Sequence, residues 1–287
     1  MKTAIKLLRV KQWVKNVFVF LPAFFGGVFF EVDSITLLLG FFAFSLLASS
    51  IYIINDLKDA ESDKRHPKKR NRPIASGKIK PLQALIIAAI LFLASGFTAT
   101  FFLPSSSWFI LALYFTVNVL YSFYLKHLAI VDLILVASGF VFRIIVGSLI
   151  ASVQLSYWLL LMTFLFSLFI VIAKRRDDFT TTDSTPYLLR KVNKYYNISF
   201  LNTAITIVST LMMVCYVMYT FNSNYFEGRN YFALISSVLV IVGLLRYFQA
   251  IFVEEKGGSP TDFAFKDRFI QVVLLLWLAI FAYLIYS

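Results

Sequence analysis

The sequence predicts an all-α integral membrane protein of nine transmembrane helices. Three observations carry that reading. Of the 287 residues, 60% are hydrophobic and only 15% are charged, against roughly 45–50% and about 25% in a soluble globule. The apolar residues gather in runs of the length that crosses a bilayer, about 20 residues each. Finally, the basic residues fall almost entirely in alternate connections between those runs, the pattern of cytoplasmic loops in a multi-pass protein.

The runs are, in order, Trp13 to Phe30, Ile35 to Ile54, Leu82 to Leu103, Trp108 to Leu125, Leu128 to Val153, Leu155 to Ala173, Ile198 to Phe221, Tyr231 to Val253 and Phe269 to Tyr286. The first is read as a retained span and not a cleaved leader, because LPAFFGGVFFE offers no small-x-small cleavage site and eight spans follow. All but three of the 27 Lys and Arg lie in the N-terminal arm or in the even-numbered connections; Arg229 lies on the other side, and Arg143 and Arg246 lie within spans. The N-terminus is therefore expected in the cytoplasm and, after nine crossings, the C-terminus outside. The whole chain reads as one transmembrane domain in a bacterial-type inner membrane.

Composition also excludes chemistries. One cysteine, Cys215, forms no internal disulfide, and two histidines, His66 and His127, leave little for a zinc or haem site. The net charge of +12 fits two readings: anionic lipid drawn to cytoplasmic loops, or a cytoplasmic site for a polyanionic substrate. Bilayer lipid is the expected surroundings, and no nucleic-acid partner is expected.

Two connections are long and densely charged, Asp56 to Lys80 and Lys174 to Lys194, and long connections in a compact protein are usually functional. An even number of spans separates them, so they emerge on one face, and a four-helix structural repeat is a fair hypothesis. In the first, Asp56, Asp59 and Asp63 are spaced by three and four. If the second span continues two turns past the membrane, they share a face. Three carboxylates there repel one another unless a cation bridges them. Hard oxygen ligands suit magnesium, which completes its shell with water and substrate phosphates. The competing reading is a solvated helix end neutralised by Lys58, Lys64 and Arg65. The continuation favours the clamp, since Lys68, Lys69, Arg70 and Arg72 crowd around turn-forming Pro67, Pro73 and Gly77, within reach of phosphate oxygens.

The stretch Asn55 to Asp63 resembles the NDxxDxxxD signature of the UbiA-type superfamily of intramembrane prenyltransferases, and Arg72 to Gly77 resembles the RPIASG run common in it. The resemblance extends over nearly the whole chain. It implies a UbiA-type helical bundle with a cytoplasmic-side active site, in which Asn55, Asp56, Asp59 and Asp63 hold magnesium and a diphosphate, with the three aspartates as metal ligands.

The second charged loop departs from the pattern of members that use prenyl diphosphates. Those carry a second DxxD or DxxxD motif, whereas here Lys174, Arg175 and Arg176 precede Asp177 and Asp178, and the next acid is Asp183. Three consecutive cations fit an anion-binding edge or a stop-transfer signal; Asp177 and Asp178 fit a substrate contact or a second metal. Together with WVKN at Trp13 to Asn16, YSFYLK at Tyr121 to Lys126, and Asp132 with Arg143, the chain is most similar to the polyprenyl-phosphate phosphoribosyltransferase branch. That similarity implies transfer of 5-phosphoribosyl from phosphoribosyl diphosphate to a polyprenyl phosphate. Such an acceptor is already ionised near neutral pH and needs no general base, so scarce histidine is no obstacle.

Charges within spans are costly and functional by default. Asp132 fits an interfacial position or a substrate contact. Arg143 lies about 16 Å further along the same helix at 1.5 Å per residue, too far to pair with it, and is expected to face a cavity and bind an anionic group in catalysis. Arg246 is expected to snorkel. Tyr121 and Lys126 are candidate phosphate contacts, Tyr121 also fitting an aromatic belt. Gly257 to Pro260 reads as a flexible connection or a lid. The alternatives are an aromatic polyprenyltransferase of the same superfamily, which predicts the missing second motif, and a polyanion transporter, which needs no metal site.

Overall fold

A computed structural model describes residues 2–67, 69–180, 191–254 and 260–286. Lys68, Asp183 and Gly257 to Ser259 lie outside the described residues. The chain divides into two compact units, Met1–Leu155 with Arg190–Val192, and Ser156–Leu189 with Asn193–Ser287.

The first unit holds α1 (Lys2–Leu7), a 3-10 helix (Val10–Phe20), α2 (Leu21–Phe25), α3 (Ser34–Lys64), α4 (Pro81–Phe102), α5 (Ser105–Phe123) and α6 (Val131–Ala151). The second holds α7 (Tyr157–Thr180), α8 (Ile198–Asn222), α9 (Asn230–Phe252), α10 (Pro260–Lys266) and α11 (Arg268–Tyr286). Eight helices among the described residues, α3 to α9 and α11, are long and apolar enough to cross a membrane, and each matches an expected span. This is a multi-pass membrane protein.

The first expected span is not a continuous α-helix. Val10–Phe20 winds as a 3-10 helix, and the α-turn that follows has Pro22 near its start and stops at Gly26 and Gly27, the latter at φ 75°. Pro removes a donor and Gly accepts the left-handed turn, so no long α-helix propagates through this run. At about 2.0 Å per 3-10 residue and 1.5 Å per α residue, Val10 to Phe25 still extends roughly 30 Å, the thickness of a bilayer core. The backbone of α6 comes very close to it: a Cβ on Gly147 would sit 2.0 Å from the carbonyl oxygen of Val19. Gly147→Ala is therefore expected to force the two apart and to destabilise the protein by about 2 kcal/mol, read as a lower melting temperature in detergent. An unchanged melting temperature would show that the contact yields freely.

Helix α3 organises the first unit. Its N-cap is Asp33, whose carboxylate accepts from the N–H groups of Ile35 and Thr36 at 3.1 and 3.2 Å. Hydrogen bonds from the Thr36 hydroxyl and the Ile35 N–H hold the Asp33 carboxyl below its usual range. Because the folded value is depressed, the cap stabilises fully above the unfolded carboxylate pKa and loses its effect as pH falls through the folded one. Asp33→Ala is expected to lower the melting temperature at pH 7 and to lose that difference in strong acid; equal melting at pH 7 would argue against the cap.

With 31 residues, α3 runs about 46 Å, well beyond a bilayer core of about 30 Å, so its last turns carry Asn55 to Asp63 clear of the apolar stretch. Small polar residues join it to α4: Ser50 donates to the Ala88 carbonyl at 2.9 Å, and Ser95 of α4 donates to the Ala43 carbonyl at 2.8 Å. Such residues allow close approach where lipid supplies no hydrophobic drive between helices.

In the second unit, Trp277 of α11 donates to the Tyr216 hydroxyl of α8 at 2.7 Å. Arg246 of α9 pairs with Asp267 at 2.8 Å and Glu254 at 2.5 Å, so it ties helix ends together and is more than a snorkelling cation. The short helix α10 was not expected from the sequence.

Candidate active site

The segment after α3 folds back on the helix it leaves. A 3-10 turn at Lys69–Asn71 is followed by the run from Arg72 to Gly77, which closes at φ 73° on Gly77. Ile74 tucks beneath it with Leu7, Ile53, Ala84 and Ala88. The apolar anchor returns Arg72 to the acidic face of α3. Its Nη1 donates to Asp56 Oδ1 at 3.0 Å and to Asp63 Oδ2 at 2.6 Å. Both carboxylates are buried, at 3% and 4% exposure, and a buried charge needs such a partner. A second guanidinium, from Arg9, also pairs with Asp56 and lies over the ring of Tyr52 at 4.9 Å.

Asp59 points elsewhere. It accepts from Lys126 Nζ at 2.5 Å and from Asn55 Nδ2 at 3.3 Å. The reason is helical geometry: at 100° per residue Asp56 and Asp63 lie about 20° apart around the axis, whereas Asp59 is displaced by roughly 40–60°. Accordingly, among the described residues, no group of three or more His, Cys, Asp or Glu is gathered as a metal site. The expected trio resolves into a converging pair and a neighbour.

That pair fits magnesium. One carboxylate oxygen from each residue reaches the same cationic nitrogen, and magnesium characteristically takes one or two carboxylates and leaves the rest of its octahedron to water and phosphate. Asp56 and Asp63 would hold it, with Asp59 close enough in sequence and face to assist through water.

The other expected residues are spread around this centre. Lys126 stands in the turn after α5, and Tyr121 is half-buried on α5. Lys58 is exposed and lies 5.3 Å over the Phe123 ring; Arg65 and Arg70 are exposed. Arg9 was missed, since nothing in a basic N-terminal arm marks one cation as the partner of a carboxylate 47 positions on.

Arg143 is not on an open cavity wall. It is 4% exposed, and its donors go to Asn16 Oδ1 at 2.8 Å, the Gly139 carbonyl at 2.6 Å and the Tyr114 hydroxyl at 3.5 Å. Asp132 is fully buried at the start of α6.

In the second unit the three cations diverge. Lys174 is exposed. Arg175 is buried and donates to Asn193 at 2.8 Å, while Arg176 donates to Asn202 of α8 at 2.7 Å and to the Ile251 carbonyl of α9 at 3.2 Å. They do not form one anion-binding edge, because successive residues on a helix point about 100° apart. Asp177 and Asp178 follow, partly buried on α7. Arg176→Glu is expected to cost about 2 kcal/mol by breaking charged hydrogen bonds, visible as a lowered melting temperature. A shift in the apparent KM for a sugar donor at unchanged melting temperature would instead make it a substrate contact.

The profile of the UbiA prenyltransferase family matches residues 17–269. The chain belongs to the UbiA prenyltransferase family. Among its relatives is the decaprenyl-phosphate phosphoribosyltransferase of Mycobacterium tuberculosis, 34% identical over 96% of this chain and 91% of that protein. The enzyme of the same name from Mycolicibacterium smegmatis is 33% identical over 98% and 92%. Among solved structures, a UbiA homologue from Archaeoglobus fulgidus bound to GPP and Mg2+ superposes with a TM-score of 0.75 over 99% of this chain and 100% of that one, at 17% identity. At that identity the superposition establishes the UbiA fold and nothing finer.

Proposed function

We propose that the protein transfers 5-phosphoribosyl from phosphoribosyl diphosphate to a polyprenyl phosphate at the cytoplasmic face of a bacterial-type inner membrane, releasing diphosphate. The observation that carries this is the near full-length similarity to decaprenyl-phosphate phosphoribosyltransferases, joined to a site whose charges suit the reaction. The N-terminus lies in the cytoplasm and the C-terminus outside, with Val10 to Phe25 supplying the first of nine crossings.

In this reading an oxygen of the lipid phosphate attacks the anomeric carbon of the ribose, and the bond from that carbon to the diphosphate breaks, the electron pair leaving with the diphosphate. Magnesium, when bound, supplies charge neutralisation of that leaving group. Asp56 and Asp63 would hold the cation, and Asp59 orients Lys126 and Asn55 toward the same mouth. Arg9 and Arg72, placed on the carboxylates in the structure, would be available to the donor phosphates with a metal on those carboxylates. Arg65, Arg70 and Tyr121 add cationic and hydroxyl contacts to the donor's 5-phosphate, and Lys58, Lys174, Arg175, Arg176, Asp177 and Asp178 have no assigned step. Catalysis then rests on positioning and charge stabilisation, with no covalent intermediate.

The test is a paired assay on detergent-purified protein with magnesium: labelled phosphoribosyl diphosphate plus polyprenyl phosphate, against labelled prenyl diphosphate plus 4-hydroxybenzoate. Label entering lipid only in the first supports the proposal. Product only in the second would replace it with aromatic prenyl transfer, and silence in both would reopen the transporter reading.

A further inference from the structure

The 3-10 helix Val10–Phe20 has 11 residues, far beyond the three or four at which such helices usually stop. Its burial repeats every three residues. Lys11, Val14 and Val17 are exposed, while Asn16 and Val19 are buried. At 3.0 residues per turn Trp13, Asn16 and Val19 stand in one row, whereas at 100° per residue an α-helix would rotate each about 60° from the last.

Every member of that row is held. Trp13 Nε1 donates to Ser49 Oγ at 3.0 Å, and that hydroxyl donates on to the Leu8 carbonyl at 2.8 Å. Asn16 uses both ends of its amide: Nδ2 donates to Ser45 Oγ of α3 at 2.8 Å, and Oδ1 accepts from Arg143 Nε of α6 at 2.8 Å. Val19 lies against the backbone at Gly147. Arg143 is in turn fixed by the Gly139 carbonyl and enclosed by the rings of Phe44, Tyr114 and Phe140 at 4.7, 5.5 and 5.3 Å. Among the described residues no carboxylate pairs with it. With Arg143 donating to Oδ1 and Ser45 accepting from Nδ2, the Asn16 amide is held in one orientation.

The row ends at the acidic site. Arg9 immediately precedes the 3-10 helix, in a left-handed conformation at φ 51°, and its guanidinium is on Asp56. Winding decides its reach. The difference between 3-10 and α rise, about 0.5 Å per residue, displaces Arg9 relative to Asn16 by roughly 3–4 Å over seven residues, more than a hydrogen-bond length.

We propose that Asn16 and Arg143 are positioning residues that lock the 3-10 winding of Val10–Phe20 and thereby hold Arg9 on Asp56. Arg143 thus acts on the site from within the membrane without touching substrate. The turnover part of the test rests on the transferase activity proposed above; the structural part does not.

The experiment measures spin-label distances between Lys11→Cys and Lys64→Cys, both exposed positions of the first unit, in a Cys215→Ser background, together with transfer rates of the unlabelled variants. The parent is expected to give one narrow distance. Asn16→Leu and Arg143→Met should each shift or broaden it by a few ångströms and lower turnover at least tenfold. The double variant should be no worse than the worse single, and Arg143→Lys, which retains one donor for Asn16, should recover part of both. If Arg143→Met does not fold, Asn16→Leu and the milder Asn16→Ser carry the same comparison. Loss of turnover in Arg143→Met at an unchanged distance would overturn the proposal and make Arg143 a direct substrate contact, as would parental distance and rate in Asn16→Leu. If the parent itself shows no transfer, the distances still decide the winding lock.

Discussion

Asp56→Asn is expected to reduce magnesium-dependent transfer by about 100-fold or more, the order seen when a charge-stabilising group at a reacting centre is removed, while the purified protein remains monodisperse. Asn preserves the side-chain shape but cannot supply the hard anionic oxygen that magnesium requires. The same change leaves Arg9 and Arg72 facing a neutral amide in a site where Asp56 is 3% exposed, so the melting temperature should fall as well. The two effects separate in a magnesium titration: loss of a metal ligand raises the magnesium concentration needed for half-maximal rate, whereas simple loosening lowers the rate at all concentrations. Near-normal turnover with unchanged magnesium dependence would remove Asp56 from the site.

Arg72→Met has the second-largest expected effect, and its sign depends on magnesium. In the structure Arg72 Nη1 is shared by Asp56 and Asp63. Without it, two buried carboxylates are left with the Arg9 guanidinium, which pairs with Asp56, and breaking a buried pair costs about 3–5 kcal/mol. With chelator present the variant should therefore melt well below the parent. Magnesium should then stabilise it more than the parent, because the competing internal cation is gone; a ligand at 100 times its Kd contributes about 2.7 kcal/mol. Turnover should nevertheless fall, since the guanidinium is also the proposed partner of the donor phosphates. Equal magnesium-induced shifts in variant and parent would show that Asp56 and Asp63 do not form the metal position.

Much of this arrangement is legible in the residues because it depends on local periodicity. Eight of the nine apolar runs became membrane-length helices, and α3 continues through Asp63 as the spacing of its acids requires. What periodicity could not supply is angle and distance. A three-and-four spacing puts three aspartates within one broad face, yet the 40–60° by which Asp59 departs from the other two sends it to Lys126. The Arg9 contact is a tertiary event decided by how Val10–Phe20 winds, and that winding is set by Ser45, Ser49, Arg143 and Gly147 on other helices. The cations at Lys174 to Arg176 are a run in sequence but not in space, because a helix separates neighbours around its axis. The prominence of charge in the sequence thus singles out the end of α3 as the candidate site, while the surroundings of Arg143 are neutral partners, Asn16 and Tyr114, which no charge count would single out.

The most direct test of the central claim follows two labels in one donor. Phosphoribosyl diphosphate carrying carbon label in the ribose and phosphorus label in the diphosphate is incubated with polyprenyl phosphate, magnesium and purified protein. Ribose label should appear in the lipid fraction in equal molar amount to phosphorus label released as diphosphate, and both transfers should vanish in Asp56→Asn. Both labels travelling together into lipid, or ribose label remaining in the aqueous phase while the lipid is consumed, would contradict phosphoribosyl transfer.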